Sequence, residues 1–289
     1  MSTAAALTSL FSPLRVGPMH LTNRIFRTPL TRSTGPALPT ARFAEVCAAR
    51  AATAGLLVAD GIDVVHMDAT YVAAWQRVAD AVHARGGHLV LQLSHVVGPR
   101  SLPHLIDAYA TAARMFVERA GIDAIELYAA NGCLVDEDER HCPTTLRQVA
   151  ADHRTHVLKD VVAAVTDAVG GGNRVGIRFS PLSLVTQPHD CDATMLCQDV
   201  ARTAQAANLA YVHLMHADVF EEPLVSLFRS QFQNVLVGDC GYTHDEANDA
   251  IHKHLVDAVA FDSAVMGDAS LVGSVGVDHV QEESMSLPH

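Results

Sequence analysis

Short apolar runs that alternate with amphipathic helical stretches constrain the fold of this chain more than any other feature. Several runs are uninterrupted hydrophobics, which is typical of parallel strands covered on both faces. The runs predict strands at 24–28, 56–60, 88–93, 124–128, 175–179, 211–215, 235–238 and 258–261. Helical patterns lie between them, for example at 71–85, 105–120, 153–169, 193–207 and 244–254.

An alternating order of strands and helices predicts a parallel sheet, and this number of units in 289 residues predicts a closed (β/α)8 barrel. The alternative is an open, doubly wound sheet. That fold would be expected to carry a G-x-G-x-x-G turn after its first strand, and the sequence has none there. We expect one barrel domain over 1–276 and a polar tail at 277–289.

Composition excludes several classes of partner. The formal net charge of −12 disfavours binding to nucleic acid, because the phosphate backbone would be repelled. No apolar run is long enough to cross a membrane, and the N-terminus lacks the pattern of a signal peptide. The 6 cysteines are scattered without a C-x-x-C pair. These features favour a reduced, cytoplasmic protein, and they leave homo-oligomerisation open.

The 17 histidines do not form a recognisable metal site. His213 and His216 are three residues apart in or just beyond a strand-like run, and in a strand this spacing sends the side chains to opposite faces. His252 and His254 lie on a polar helical stretch. A structural or solvent-facing role is favoured for all four, and we predict no metal.

Function in a (β/α)8 barrel resides at the carboxyl ends of the strands. The segments at these ends are polar, and they include Thr31, Asp60, Gln92, Tyr128 and Arg178.

Several longer segments resemble the Old Yellow Enzyme family of FMN-dependent ene-reductases. The resemblance covers residues 10–271, nearly the whole chain. Its most specific stretches are LFSPLRVG, LTNRIFRTPLTRS, AAWQRVADAVHARGGHLVLQLSH, AGIDAIELYAANGCLVD and NRVGIRFSP.

The resemblance implies FMN-binding roles for three residues. Thr31 corresponds to the residue that hydrogen-bonds the flavin O4 edge, and Gln92 corresponds to the amide that reads the pyrimidine edge. Arg178 corresponds to the cation that stabilises reduced flavin at its N1–C2 edge. The alternative for Arg178 is a buried ion pair with a carboxylate such as Glu126.

The sequence departs from the family pattern at the substrate side. The family binds an enone oxygen with a His followed three residues later by His or Asn, whereas this chain has Tyr128 and Asn131. The tyrosine that acts as general acid in the family corresponds to Cys133, and a thiol with a pKa of ~8.5 is a weak proton donor.

The phosphate side departs as well. The family has Phe-Gly-Arg at the end of the last strand, where this chain has Phe261, Asp262 and Ser263, and Asp239 adds a second acid nearby. Loss of the arginine and gain of a carboxylate predict FMN binding weaker by roughly two to four orders of magnitude. The loops after the second and third strands are also short, which would leave a more open barrel mouth.

From these departures the sequence favours an enzyme that works without hydride transfer and without FMN, as a cyclase, isomerase or rearrangement catalyst on a bulky, apolar biosynthetic intermediate. The candidate catalytic residues are Tyr128, Asn131, Arg178, His95 and Asp60. The alternative is an FMN-dependent NAD(P)H ene-reductase or desaturase that holds the flavin with Thr31, Gln92 and Arg178. A non-catalytic binding protein is the third hypothesis.

Overall fold

A computed structural model describes residues 9–28, 38–64, 68–95, 102–130, 134, 155–180, 193–215, 222–239 and 241–261. The polar tail expected at 277–289 and the domain boundary at 276 lie outside these residues.

The described strands form a closed parallel barrel, which confirms the predicted (β/α)8 architecture. Going round the barrel, each strand pairs with the next along the chain, and the last strand closes the circle by pairing with the first. All eight predicted strands are present, and their ends differ from the predicted ones by no more than three residues. The barrel strands are β3 (Ile25–Arg27), β4 (Leu56–Asp63), β5 (Leu89–Ser94), β6 (Ala124–Ala129), β7 (Val175–Phe179), β8 (Tyr211–Met215), β9 (Val235–Asp239) and β10 (Ala258–Phe261).

Helices follow the barrel strands and cover their outer faces. Five correspond to the predicted helical stretches, and Ala41–Ala51 and Glu222–Gln231 add two more. The described helices are α1 (Ala41–Ala51), α2 (Ala69–His83), α3 (Leu102–Arg119), α4 (His156–Ala168), α5 (Ala193–Ala206), α6 (Glu222–Gln231) and α7 (His244–His252). Helix α2 begins where it does because the Asp68 side chain accepts a hydrogen bond from the Tyr71 amide. Within the described ranges, no helix combines the length and the apolar character needed to cross a membrane.

A small antiparallel hairpin, β1 (Leu14–Val16) and β2 (Met19–Leu21), covers the amino-terminal end of the barrel. The sequence pattern does not predict this hairpin, because its three-residue strands are too short for a periodic signal. The turn at Gly17 has a positive φ of 54° and lies against the carbonyl of Asn173, so a side chain at this position would collide with the backbone. The hairpin places Val16, Met19 and Leu21 against the lower interior of the barrel.

Side chains alternate along each strand between the helices and the barrel interior. In β6, Ile125 and Leu127 pack beneath the helices, whereas Ala124 and Glu126 face inward. The first inward positions are apolar and pack with the hairpin. The inward positions nearer the carboxyl ends are polar, and this upper layer forms the candidate site.

Two of the connections at the barrel mouth are short. Only residues 64–68 separate β4 from α2, and only residues 95–101 separate β5 from α3. This spacing agrees with the short loops expected after the second and third predicted strands.

Candidate active site

Five neighbouring barrel strands, β5 to β9, contribute inward-facing polar side chains to a continuous hydrogen-bonded network. The members of this polar network are Gln92, Glu126, Arg178, His213 and Asp239.

Glu126 is the centre of the polar network and is completely buried. One carboxylate oxygen accepts a hydrogen bond from Gln92 Nε2 at 2.7 Å. The other accepts hydrogen bonds from the Tyr211 hydroxyl at 3.1 Å and from His213 Nδ1 at 3.0 Å. Burial alone would raise the pKa of Glu126, but the charge and hydrogen bond of His213 outweigh burial and lower it. Glu126 is therefore a carboxylate in the folded protein.

His213 joins the two acids of the polar network. Its Nε2 lies 3.2 Å from Asp239 Oδ2, on the side opposite Glu126. Burial by itself lowers the pKa of His213, yet the two carboxylates more than compensate and raise it. Each ring nitrogen of His213 faces a carboxylate oxygen, an arrangement that favours the imidazolium form.

Arg178 completes the polar network near the carboxyl end of β7. Its Nη2 donates to Asp239 Oδ2 at 2.7 Å, and the two side chains are largely buried. The Arg178 Nε atom is buried and has no hydrogen-bond partner within the described part of the chain. The pair register places Tyr128 of β6 directly beside Arg178. The upper rim therefore places a guanidinium beside a phenol.

Close packing below the polar network depends on Gly176. A Cβ atom on Gly176 would lie 2.4 Å from the Tyr211 ring, so the glycine makes room for the aromatic side chain in the neighbouring strand. Tyr211 is completely buried, and its hydroxyl reaches Glu126 from below. Burial, followed by the charge of Glu126, raises the pKa of Tyr211 well above its ordinary value, so the phenol remains a donor.

The structure brings three of the predicted site residues together. Gln92, Tyr128 and Arg178 face the interior from three successive strands. His95 lies elsewhere: its Nδ1 is 3.0 Å from the hydroxyl of Tyr109 on α3, towards the helical layer.

Two of the other predicted residues, Thr31 and Asn131, lie outside the described residues, as do Cys133, Asp262 and Ser263. Asp60 belongs to β4, although its side chain is also outside the described part. The catalytic and FMN-binding roles assigned to these residues stay predictions.

The polar network itself was not predicted from the sequence. There, Glu126 entered only as a possible partner of Arg178, His213 was expected to have a structural or solvent-facing role, and Asp239 was placed beside a phosphate group. Strand alternation is the signal that could have found them, because Tyr211 and His213 share a face, as do Ala124, Glu126 and Tyr128. Within the described ranges, no cluster of three or more His, Cys, Asp or Glu is suited to a metal ion.

A polar cavity of about 340 Å³ opens at the other end of the barrel, beside the hairpin. Its position among the loops that precede the strands separates it from the polar network, and in barrels of this type that end serves stability. Its lining residues are Arg15, Gly17, Asn173, Asn208, Ala210, Gln233, Asn234, Val235 and Asp257.

Comparison with known proteins identifies the family. Residues 99–279, more than half of the chain, match the profile of the NADH:flavin oxidoreductase / NADH oxidase family. A chanoclavine-I aldehyde reductase of Penicillium roqueforti is 30% identical over 266 residues, covering 74% of this chain and 71% of that protein. This chain belongs to the NADH:flavin oxidoreductase family. As the resemblance to Old Yellow Enzyme implied, it is an enzyme on this barrel, and its substrate is a small molecule.

Other members of the family align over most of their length. A probable flavin mononucleotide-dependent alkene reductase of Leishmania infantum is 25% identical and covers 94% of this chain and 92% of the relative. That alignment runs over 337 positions, more than the 289 residues of this chain, so the relative carries extra residues inside the aligned region.

Solved structures of the family superpose closely. Morphinone reductase has a TM-score of 0.78 at 25% identity, with 90% of this chain and 87% of that chain covered. A variant of NCR from Zymomonas mobilis has a TM-score of 0.77 at 27% identity, covering 93% and 92% of the two chains.

The family corrects two expectations drawn from the sequence. The expected flavin-free cyclase or isomerase, and the expected absence of a cofactor, are wrong, because the family and these relatives are flavin oxidoreductases. The structure provides part of the physical reason. Asp239 does not act as an uncompensated acid beside a phosphate group, since its carboxylate is bonded to Arg178 and His213 inside the barrel.

Proposed function

We propose that this enzyme is an FMN-dependent oxidoreductase that uses reduced nicotinamide to reduce a carbon–carbon double bond activated by a carbonyl group. The observation that carries the proposal is the presence of both Gln92 and Arg178 at the upper end of the interior of a barrel that belongs to a flavin oxidoreductase family. The alkene reductase among the relatives supports the reaction class.

The donors and acceptors of the polar network suit the pyrimidine edge of a flavin. That edge presents one N–H donor between carbonyl acceptors. Gln92 gives its amide nitrogen to Glu126, which leaves the amide oxygen as an acceptor. Arg178 supplies a positive charge at the upper end of the same interior. Arg178 and Gln92 would therefore hold the edge on which negative charge develops during reduction.

FMN, when bound, supplies the acceptance of hydride from reduced nicotinamide and its delivery to the alkene. The protein contributes the preorganised environment for that chemistry. Glu126 holds the Gln92 amide in place. His213 holds Asp239, which in turn orients the Arg178 guanidinium. Because the supporting groups are buried, they need little reorganisation when charge appears at the site.

Tyr128 is the group that we propose to bind the substrate carbonyl. It is half-buried near the end of β6, faces the interior, and lies beside Arg178 in register. A phenol donates one hydrogen bond, which would polarise the carbonyl oxygen and make the conjugated alkene more electrophilic.

A bulky carbonyl compound is the substrate class that we propose. Relatives of this chain include proteins named for reducing chanoclavine-I aldehyde and 12-oxophytodienoate, both of which are carbonyl compounds by name. The short connections at 64–68 and 95–101 support a roomy entrance for such a molecule.

The first test is the visible absorption spectrum of the purified protein, followed by titration with FMN. We expect flavin bands at about one equivalent and a quenched FMN fluorescence. A colourless protein that ignores added FMN would overturn the proposal.

Arg178→Ala is expected to weaken FMN binding roughly tenfold to a hundredfold, because a charge-assisted hydrogen bond contributes about 1.5–3 kcal/mol. Arg229→Ala is the matched control, since Arg229 forms a similar pair with Asp257 at 2.6 Å near the opposite end of the barrel. Equal loss of FMN affinity in both variants would show a general effect on the fold and would count against the assigned role.

Tyr128→Phe separates the substrate role from the cofactor role. The variant is expected to keep wild-type FMN affinity while its kcat for an activated alkene falls roughly a hundredfold, as for loss of one donor to a developing oxyanion. An unchanged kcat would remove Tyr128 from the site.

A further inference from the structure

Asp239 occupies an unusual place for an acid in an electron-accepting site. It is the last residue of β9, and it is only 6% exposed. A single carboxylate oxygen accepts hydrogen bonds from Arg178 Nη2 at 2.7 Å and from His213 Nε2 at 3.2 Å. The carboxylate therefore holds two cationic groups at once.

The charges of the polar network balance. Glu126 and Asp239 are its acids, and Arg178 and His213 are its cations, all bonded within one buried cluster. Burial opposes ionisation of Asp239, but the hydrogen bond and charge of His213 and then Arg178 outweigh it, so the pKa of Asp239 lies well below its ordinary value. The cluster is consequently close to neutral, whereas the same cluster without Asp239 would be cationic.

We propose that Asp239 is a positioning residue that lowers the reduction potential of the bound flavin by neutralising Arg178 and fixing its guanidinium. This inference rests on the proposed function. Reduction adds negative charge to the flavin, and a free cation stabilises that charge more than an arginine already paired with a carboxylate does. The Asp239–Arg178 pair therefore makes the reduced enzyme a stronger reductant.

The two half-reactions should respond in opposite directions. Removing the charge of Asp239 makes electron uptake from reduced nicotinamide more favourable and electron delivery to the alkene less favourable. A variant that is merely misfolded would slow both half-reactions together, so the opposite changes identify an electrostatic role.

Asp239→Asn, measured beside the wild-type holoenzyme, is the central experiment. The FMN midpoint potential is measured by reduction in the presence of a reference dye. We expect the affinity for reduced FMN to rise about tenfold to a hundredfold relative to the affinity for oxidised FMN. This change is equivalent to a midpoint potential that is higher by ~30–60 mV for a two-electron couple.

Asp257→Asn is the matched control, because Asp257 also pairs with an arginine and lies near the opposite end of the barrel. Its potential should equal that of the wild type. Asp239→Glu, which retains the charge, should keep a potential near the wild-type value.

The outcomes separate the inference from the proposed function. If wild-type protein binds FMN and Asp239→Asn has the same potential, the inference fails while the function stands. If wild-type protein takes up no FMN, both fail. Asp239→Ser is a second neutral variant for the case in which Asp239→Asn does not fold. Loss of the fold in both neutral variants would make Asp239 a structural residue and overturn the inference.

Discussion

The lower and upper halves of the barrel interior are built from the same strands, but the lower half is apolar and the upper half is polar. The lower half is filled by apolar side chains such as Phe26, Leu56 and Val58, which pack with the hairpin. The upper half begins at the next inward-facing position of the strands and holds the charged polar network centred on Glu126 and His213.

This difference shows that one barrel keeps its stabilising apolar packing and its chemically active groups in separate layers. Apolar packing in the lower half gains free energy from burial and tolerates exchange between residues of similar volume. In the upper half, buried charges and hydrogen-bonding groups compensate one another, so a single deletion leaves its partners uncompensated.

Glu126→Ala is expected to have the largest effect on the upper half. It leaves His213 as a buried cation with one acid fewer, and removes the acceptor of Gln92 and Tyr211. We expect the free energy of unfolding to fall by about 3–5 kcal/mol, measured by urea denaturation. A loss below about 1 kcal/mol would show that the halves do not differ as described.

Leu56→Ala makes the corresponding change in the lower half. Leu56 is completely buried in the apolar cluster, so a cavity should cost about 2–5 kcal/mol of unfolding free energy. The FMN dissociation constant of the folded variant should stay at the wild-type value. A weaker FMN complex would mean that the two halves are coupled.

Gly176→Ala tests the boundary between the halves. The added Cβ meets the Tyr211 ring, so we expect a loss of about 1–3 kcal/mol from overpacking. In the Tyr211→Leu background the same substitution should cost much less, and a double-mutant cycle measures the coupling. Additive effects of the two changes would contradict the predicted clash.

The smallest expected effect lies at the amino-terminal end of the barrel, where Asp123 bonds His83 at 2.8 Å and His88 at 3.4 Å. The hydrogen bond to Asp123 raises the pKa of His88 despite partial burial. Burial opposes ionisation of Asp123, but its hydrogen bonds to His88, Leu89 and His83 lower its pKa.

A raised histidine pKa stabilises the fold at low pH, and this stabilisation is lost as the pH rises through the raised pKa. A lowered aspartate pKa stabilises the fold above the pKa of the unfolded state, and this stabilisation is lost on acidification. The stability difference between wild type and Asp123→Asn should therefore peak between about pH 4 and pH 6.5, at no more than about 1 kcal/mol. Urea denaturation across pH measures it, with Asp249→Asn as the surface control. A difference that is flat with pH would exclude the titration.

Sequence periodicity was sufficient to predict the barrel, because each strand carries an apolar face toward the helices, as Ile125 and Leu127 do in β6. The family resemblance, and not periodicity, placed Gln92 and Arg178 among the candidate residues, and the structure brings both to the barrel interior. Periodicity was insufficient for the partners of Arg178. Whether that arginine pairs with Glu126 or Asp239 depends on the stagger between strands far apart in the chain, which local pattern does not encode.

The same limit explains one part of the wrong prediction about the cofactor, the part that rested on Asp239. An acid read from the sequence was counted as a lone charge, although Asp239 is bonded to Arg178 and His213 in the folded protein. The energetic consequence of a buried charge depends on its neighbours more than on its type.

The contact between Gly176 and Tyr211 has an evolutionary consequence. A side chain at position 176 and the Tyr211 ring would occupy the same volume, so a substitution at one of the two positions alone gives a less stable protein. A lineage that acquires a side chain at position 176 must first shrink the residue at position 211, and the shrinkage also deprives Glu126 of a hydrogen-bond donor. The two positions should therefore be inherited as a pair, and the acid above them should change in the lineages that abandon the pair.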